Sequence, residues 1–288
     1  MMNAIIMAAG TSSRFVPLSE ERPKGLLEVR GEKLIERQIR QLREAGISDI
    51  TIVLGYKAVL FEYLADKYSV ILVYNEDYRR YNNSSSVIRV VDKLNDTFLC
   101  CSDHYFERNV FLDRQVDSYY AVQYANGETD EWCVETDDEE FIKKVNIGGA
   151  NTWYLAGHAY FNPTFSKTFA SLLTKAYKLE ETRQGYWEDL MINHLDVLPI
   201  KSRKYSDTEF REFDSIDELR TFDESYINDT RSSILKDICK RLCCEERQLS
   251  HFERIKHEGG YLLFTFLVDA TKYIYDGSSL TVKPLVNE

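Results

Sequence analysis

The chain has 288 residues, of which 44% are hydrophobic and 29% are charged, a composition typical of a globular protein rather than a disordered one. Its 36 basic and 47 acidic residues give a net charge of −11, which disfavours non-specific binding to the backbone of a nucleic acid. No apolar run approaches the roughly 18 residues that span a bilayer, so we expect no membrane insertion.

The N-terminal segment and the cysteines together favour a cytoplasmic protein. The first ten residues lack the cationic segment that opens a secretory signal. The six cysteines form no C-x-x-C pair, and the five histidines form no H-E-x-x-H motif. We therefore expect reduced thiols and no transition-metal site.

Strands and helices alternate through the first hundred residues. Short apolar runs predict strands at residues 3–8, 50–54, 70–74 and 98–101. Helical spacing between them predicts helices near residues 34–42, 61–68 and 84–94. This alternation predicts a Rossmann-like α/β fold, in which a mainly parallel sheet carries helices on both faces. Ligands of such sheets bind at the carboxyl ends of the strands, which are residues 9–25, 55–57, 74–86 and 102–106.

The pattern changes after residue 110. Aromatic, extended runs predict further strands of a mixed sheet at residues 116–125, 132–134 and 153–161. Helices are predicted at 163–178 and 187–195, followed by an extended run at 209–213 and a capped helix at 215–222. We place a domain boundary near Tyr226, between a first domain of residues 1–226 and a small α+β appendage of residues 227–288.

A loop of small and hydroxyl-bearing residues follows the first strand, and it comprises Ala8, Ala9, Gly10, Thr11, Ser12 and Ser13. Two cations come next, Arg14 and Lys24. Backbone N–H groups at the end of a strand can surround a phosphate, and cations can assist them. Neither the Walker A motif nor the dinucleotide fingerprint is present, so composition alone also allows an ordinary turn.

The stretch A-A-G-x-x-S-R-x-x-P-L, followed by P-K, resembles the signature of nucleotidyltransferases that make nucleotide-activated sugars and alcohols. This resemblance implies that the loop wraps a nucleoside triphosphate and that Arg14 and Lys24 neutralise charge around its α-phosphate. Ser12 stands where the family often has a second glycine, so we expect the approach of the backbone to phosphate to differ there.

Two aspartates match the metal ligands of that family. Asp103 follows the strand at 98–101, and Asp214 follows the extended run at 209–213. Each has an ordinary alternative, as a turn residue or as an acid at a helix N-terminus. The resemblance implies that both bind Mg²⁺. This ion prefers oxygen ligands and is commonly coordinated by protein carboxylates and substrate phosphates together.

Aromatic segments resemble those of bacterial CTP:phosphocholine cytidylyltransferases, and this likeness extends over residues 3–226. It rests on residues 74–86, on Glu131-Trp132 and on Tyr186-Trp187-Glu188-Asp189. An aromatic box for a quaternary ammonium is expected from Trp132, Tyr186 and Trp187, with Glu188 or Asp189 beside it. Trp187 is the strongest candidate, and core packing is the alternative for all three rings. Nucleotide-base selection is assigned to the region of Ala8, Gly55, Tyr56 and Asn83.

The resemblance implies that CTP and phosphocholine react to give CDP-choline and pyrophosphate. A different phospho- or phosphono-amine, such as 2-aminoethylphosphonate or phosphoethanolamine, is the first alternative acceptor. The second alternative is a non-catalytic nucleotide-binding regulatory subunit.

The appendage resembles the beginning of a choline-kinase-like phosphotransferase. The likeness rests on a helix near 234–242, the paired glycines at 259–260 and strands near 261–268 and 272–275. The chain holds none of the catalytic motifs of such a kinase after these residues, so we expect no kinase activity. We expect the appendage to pack on the main domain or on a second copy, the latter giving a homodimer.

Overall fold

The computed structural model of the protein describes residues 2–113, 116–257 and 259–285. Its strands are β1 (Met2–Ala8), β2 (Glu28–Val29), β3 (Glu32–Lys33), β4 (Ile50–Leu54), β5 (Ile71–Tyr74), β6 (Asp96–Cys101), β7 (His104–Phe106), β8 (Tyr119–Thr136), β9 (Ile142–Phe161), β10 (Lys201–Lys204), β11 (Phe210–Glu212), β12 (Leu249–Arg254), β13 (Leu263–Val268), β14 (Thr271–Asp276) and β15 (Thr281–Pro284).

The α-helices are α1 (Leu18–Glu21), α2 (Leu34–Glu44), α3 (Tyr63–Tyr68), α4 (Ser84–Val87), α5 (Pro163–Ala176), α6 (Glu180–Gln184), α7 (Trp187–Ile192), α8 (Ile216–Phe222), α9 (Ser225–Asn228) and α10 (Ser233–Leu242). Short 3-10 helices lie at Lys24–Leu26, Ala58–Phe61, Ile88–Lys93, Val110–Leu112 and Glu246–Gln248. Among the described residues, no helix is both long and apolar enough to cross a membrane.

The chain forms two compact units. The first consists of residues 2–10 and 35–211, and the second of residues 11–34 and those from 212 onwards. These units differ from the two domains that the sequence predicts, residues 1–226 and 227–288. The domain boundary near Tyr226 stays a prediction.

The first unit is built on a seven-stranded sheet with the order β10-β8-β9-β6-β1-β4-β5. Strand β1 pairs in parallel with both β4 and β6, and β4 pairs in parallel with β5. Strand β9 joins β6 and β8 antiparallel. Consecutive residues Ala4, Ile5 and Ile6 are fully buried, and because neighbouring side chains of a strand point to opposite faces, both faces of the sheet are covered there. The predicted mixed, mainly parallel fold is confirmed.

Strands β8 and β9 are longer than their sequence patterns predict. The two predicted runs at 116–125 and 132–134 form one strand, β8, and β9 begins at Ile142 rather than near residue 153. The two strands pair with each other through several register shifts, which interrupt the alternation of buried and exposed residues. Mutual pairing therefore extends both strands through polar segments that carry no strand signal of their own.

The second unit contains a four-stranded antiparallel sheet with the order β12-β13-β14-β15. Arg220 on α8 is buried and donates hydrogen bonds to the carbonyl oxygens of Glu246 (2.7 Å) and Tyr226 (3.2 Å). The Tyr226 hydroxyl donates to the Glu28 carbonyl at 2.7 Å. These bonds join α8 to the appendage and to α9, and α9 to the β2–β3 hairpin. The kinase resemblance and the homodimer stay predictions.

Helix α8 begins as the sequence predicts, with one difference. Ser215 Oγ accepts a hydrogen bond from the Glu218 N–H at 3.1 Å, as a helix cap does. The Glu218 carboxylate accepts from the N–H of Asp214 at 2.8 Å, one residue before the expected partner in a capping box. The cap therefore also fixes the backbone of Asp214.

Candidate active site

The first half of the predicted phosphate loop lies at the end of β1, in the first unit. Ala8 and Ala9 are buried and Gly10 is exposed. The Ala9 carbonyl accepts a hydrogen bond from the N–H of Tyr56 at 3.1 Å, which connects the ends of β1 and β4. A Cβ on Gly55 would lie 2.8 Å from the Tyr78 Cβ, so Gly55 allows a close approach that other residues would prevent.

The second half of the loop belongs to the second unit. Thr11, Ser13 and Arg14 are exposed. Ser12 has a φ of +49°, in the left-handed region that glycine adopts most easily. Its carbonyl accepts a hydrogen bond from the Phe15 N–H at 2.9 Å, which closes the turn. Ser12 thus keeps a backbone conformation suited to glycine, although its side chain differs.

A cluster of paired charges lies in the second unit around Lys24, which is only 5% exposed. Its Nζ lies 3.0 Å from Glu212 Oε1 and 3.8 Å from Asp214 Oδ1. Arg14 Nη2 lies 3.2 Å from the same Asp214 oxygen. The structure therefore brings together three of the predicted site residues, Arg14, Lys24 and Asp214.

Glu212 is the member of this cluster that sequence analysis missed. Residues i and i+2 of an extended segment point to the same side, so Glu212 shares a side with Asp214. Two cations and two carboxylates balance in this cluster, and the carboxylates compensate the cost of burying the Lys24 ammonium, the one buried group of the four. A phosphate that binds Arg14 and Lys24 would compete with these carboxylates. The Asp214 side chain is 41% exposed, so its oxygens can reach a hard cation such as Mg²⁺.

Asp103 lies in the turn between β6 and β7, in the first unit. It is half-buried, whereas its neighbour His104 is only 1% exposed. Its carboxylate oxygen is an accessible hard ligand, as Mg²⁺ requires. That Asp103 and Asp214 bind one ion stays a prediction.

Asn83 positions the N-terminus of α7. Its Oδ1 accepts a hydrogen bond from the Trp187 N–H at 2.8 Å, and its Nδ2 donates to Glu188 Oε2 at 3.0 Å. Asp189 Oδ2 caps the same helix by accepting from the Tyr186 N–H at 2.7 Å. The Asn83 amide, expected to select the nucleotide base, is thus engaged with the helix that carries Tyr186 to Asp189. Its contact with a base stays a prediction.

Glu188 is buried beside this helix N-terminus. Burial raises its pKa from an ordinary value of 4.5 to about 7, against the lowering effect of the Asn83 amide and the Tyr120 hydroxyl. The Tyr120 hydroxyl lies 3.0 Å from Glu188 Oε1. Both of these donor side chains are neutral. With this pKa, the Glu188 carboxyl is partly protonated near neutral pH.

The predicted aromatic box is divided by the fold. Trp187 is 1% exposed and packs in the core, stacked on Tyr120 with ring centroids 5.6 Å apart. Its other ring neighbours are Phe161 and Phe169. The expectation that Trp187 is the strongest ligand-binding candidate is corrected, because neighbouring rings cover the indole in this conformation. Phenylalanines from β9 and α5 create that pocket, and no local sequence signal reveals it.

Trp132 and Tyr186 do come together. Their rings meet edge to face, with centroids 5.5 Å apart and an interplanar angle of 84°. Tyr186 is 46% exposed, so solvent reaches part of this residue. Such a pair can attract a cation through its ring faces.

Residues 4–161 match the family described as the MobA-like NTP transferase domain. The chain belongs to this nucleotidyltransferase family. It is an enzyme, as the relatives named below also are, and the alternative of a non-catalytic regulatory subunit is set aside.

Two curated relatives of this nucleotidyltransferase cover most of its length. The 2-aminoethylphosphonate cytidylyltransferase of Lancefieldella rimae is 36% identical, over 80% of this chain and 95% of the relative. The choline-phosphate cytidylyltransferase of Streptococcus pneumoniae is 31% identical, over 79% of this chain and 100% of the relative.

A solved structure supports the same assignment. The CTP:phosphocholine cytidylyltransferase of Streptococcus pneumoniae superimposes with a TM-score of 0.74 and 31% identity, covering 78% of this chain and 98% of that one. A glucose-1-phosphate thymidylyltransferase structure from Bacillus anthracis, at 16% identity and a TM-score of 0.63, shares the fold. Both structures agree with the assignment of this chain to the nucleotidyltransferase family.

Proposed function

We propose that this nucleotidyltransferase transfers a cytidylyl group from CTP to phosphocholine, forming CDP-choline and pyrophosphate. The proposal is carried by two choline-phosphate cytidylyltransferases that match most of the chain, from Streptococcus pneumoniae at 31% and Haemophilus influenzae at 32% identity. The pair of half-buried Trp132 and exposed Tyr186 supports a quaternary ammonium, which has no N–H to donate and binds to aromatic faces.

The second candidate acceptor is 2-aminoethylphosphonate. The relative with that name is 36% identical to this chain, and the burial of Trp187 leaves two of the three expected rings for a box. A primary ammonium donates hydrogen bonds, so it would depend on a carboxylate more than on a ring face.

In the proposed reaction, an oxygen of the acceptor phosphate attacks the α-phosphorus of CTP in line. The bond from this phosphorus to the β-phosphate oxygen breaks, and that oxygen leaves as part of pyrophosphate. Arg14 and Lys24 stabilise the negative charge that develops on the phosphates, and backbone N–H groups of residues 8–13 orient them. No covalent bond to the enzyme is required.

We propose Mg²⁺ as the cofactor, which would neutralise phosphate charge when it is bound. Asp103 and Asp214 are the ligands assigned to it by the family resemblance, and their carboxylate oxygens have the chemistry this ion prefers. The Asp214 carboxylate pairs with Arg14 and Lys24.

Pyrophosphate release with CTP and Mg²⁺ tests the proposal, with phosphocholine, phosphoethanolamine, 2-aminoethylphosphonate and glucose-1-phosphate compared as acceptors. We expect the highest kcat/KM with phosphocholine. Replacing Lys24 with methionine should lower kcat by about 10²–10³-fold, because charge stabilisation in the transition state is lost. Lys175→Met, a change of an exposed lysine on α5, is the matched control and should have no effect.

The variant Tyr186→Leu separates the two acceptors. It should raise KM for phosphocholine by about 3–30-fold if the exposed ring contacts the quaternary ammonium. Turnover of 2-aminoethylphosphonate alone, unaffected by Tyr186→Leu, would replace phosphocholine by the second candidate. Absence of pyrophosphate release with every acceptor would reject both.

A further inference from the structure

A thiol, a carboxylate and an imidazole lie together at the turn between β6 and β7. Cys101 Sγ, an oxygen of Asp103 and a ring nitrogen of His104 all lie within 4.8 Å of one another. Sequence analysis expected no transition-metal site because none of the common cysteine and histidine motifs is present. The C-x-D-H spacing of this turn is outside those motifs.

Gln38 on α2 holds the two ends of this turn in place. Its side-chain amide is fully buried and donates to the carbonyl oxygens of Cys101 at 2.8 Å and His104 at 3.0 Å. The N–H of Ser102 donates to the Met7 carbonyl at 3.0 Å, which ties the turn to β1. The backbone that carries the three groups is therefore fixed at several points before any ion binds.

Gly157 on β9 lies against the imidazole and the thiol. A Cβ at this position would lie 3.1 Å from His104 Nε2 and 3.8 Å from Cys101 Sγ. Its φ of +74° also favours glycine. The Cys101 thiol donates to the Gly157 carbonyl at 3.4 Å. A side chain at Gly157 would therefore crowd the His104 ring, whereas its contact with the Cys101 thiol would be an ordinary one.

We propose that Cys101, Asp103 and His104 form a binding site for Zn²⁺ or a similar borderline-soft divalent ion. Donor atoms of a tetrahedral zinc site lie roughly 3.3–3.8 Å apart, so side-chain movements of about 1 Å would complete the geometry. His104 is held by Phe210, with ring centroids 4.7 Å apart, and the half-buried Asp103 and Cys101 can adjust to it. Thiolate and imidazole ligands select Zn²⁺ over Mg²⁺.

Three protein ligands leave one position of a tetrahedral ion open to water or to a substrate oxygen. Binding converts the Cys101 thiol to a thiolate, and its proton passes to the solvent. Because Asp103 is also assigned to Mg²⁺, Zn²⁺ at this turn would inhibit the transferase. This consequence rests on the proposed function, whereas the binding of Zn²⁺ does not.

Alkylation of the reduced, metal-free full chain measures the site without CTP or an acceptor. The alkylation rate of each cysteine is followed by peptide mass spectrometry, with Zn²⁺, with Mg²⁺ or with neither ion. We expect Zn²⁺ to slow the modification of Cys101 by about 10-fold or more, and a chelator to restore it, because a metal-bound thiolate is shielded. Mg²⁺ should have no such effect.

His104→Asn and Asp103→Asn should each abolish most of the protection of Cys101. His194→Asn is the matched control. This histidine lies in the turn after α7 and is not part of the cluster of Cys101, Asp103 and His104, so the variant should leave the protection intact. If His104→Asn fails to fold because this histidine is buried, Asp103→Asn still tests the site, since Asp103 is only half-buried. Equal alkylation rates with and without Zn²⁺, or full protection in both ligand variants, would overturn the proposal.

Inhibition is measured as pyrophosphate release against Zn²⁺ concentration, with each variant compared to its own rate in Mg²⁺ alone. Cys101→Ser should raise the half-inhibitory Zn²⁺ concentration by about 10–100-fold, whereas Cys243→Ser, which changes an exposed thiol, should not. If the chain lacks transferase activity, the alkylation experiment still decides whether the site exists. An unchanged half-inhibitory concentration in Cys101→Ser would reject the inhibitory role.

Discussion

Two regions of the first unit bury a glutamate in opposite ways. Glu36 on α2 receives Lys67 Nζ at 2.7 Å and the hydroxyls of Tyr63 (2.6 Å) and Tyr68 (2.7 Å). Glu188 on α7 receives an amide from Asn83 and a hydroxyl from Tyr120, both at 3.0 Å. Both carboxyls are removed from water, but only the first region supplies a cation among these donors.

The pKa values of the two carboxyls follow from this difference. Burial alone would raise the pKa of Glu36, but Lys67 and the two tyrosines lower it to about 2. Burial prevails at Glu188 and raises its pKa to about 7. Neutral donors therefore do not hold a buried carboxylate ionised below neutral pH, whereas a lysine with two hydroxyls does. The following predictions test this contrast, beginning with the largest effect.

Glu188→Gln should remove a pH dependence of stability between about pH 4.5 and 7. The folded state keeps the Glu188 proton over this range while the unfolded state loses it, so the wild type loses stability as pH rises. At pH 8 the variant should be more stable by up to about 3 kcal/mol, since glutamine resembles the protonated acid. Urea unfolding from pH 5 to 8 measures the effect, and a difference that is independent of pH would contradict it.

Glu36→Gln should show the opposite dependence with a smaller size. The lowered pKa of Glu36 stabilises the folded state above pH 4.5, and this stability is lost as pH falls toward 2. We expect the variant to be less stable by about 1–2 kcal/mol at pH 7, because solvent screens part of the contact with Lys67. Unfolding between pH 3 and 7 should show the gap closing at the acid end. A gap that widens there would reverse the assignment.

Tyr120→Phe and Tyr63→Phe should have the smallest effects, about 1 kcal/mol each, because each removes one hydrogen bond that a hydroxyl donates to a carboxyl group. They should differ in titration. Without the Tyr120 hydroxyl the pKa of Glu188 should rise further, whereas Glu36 should stay below its ordinary value because Lys67 and Tyr68 remain. Carbon-detected NMR titration of the glutamate carboxyls measures both, and a lower pKa of Glu188 in Tyr120→Phe would contradict the contrast.

The contrast also concerns the proposed acceptor end of the enzyme. Glu188 and Asn83 hold each other at the start of α7, and Asp189 caps the same helix through the N–H of Tyr186. The exposed Tyr186 ring is thus positioned by a network that includes a carboxyl with a pKa near 7. We therefore expect the KM for phosphocholine to change as Glu188 titrates, near pH 7.

Much of the first unit could be predicted from the sequence. Strands β1, β4, β5 and β6 are short apolar runs that end at turn residues, and a local pattern of this kind contains the information needed to identify them. The long hairpin of β8 and β9 could not be predicted, because its polar portions are held as strands by their partner across the hairpin. Sequence periodicity has no means of reporting such pairing.

The amino-acid sequence by itself predicted the phosphate loop with Arg14 and Lys24, since neighbouring residues form one motif, whereas Asp103 and Asp214 were predicted only through the family resemblance. The tertiary structure alone decided that Glu212 pairs with Lys24, that Trp187 lies in the core and that Gly157 lies against the His104 ring. In each of these cases the deciding group comes from a distant part of the chain. Burial and electrostatic pairing depend on which side chains the fold places within a few ångströms, and sequence spacing does not encode that distance.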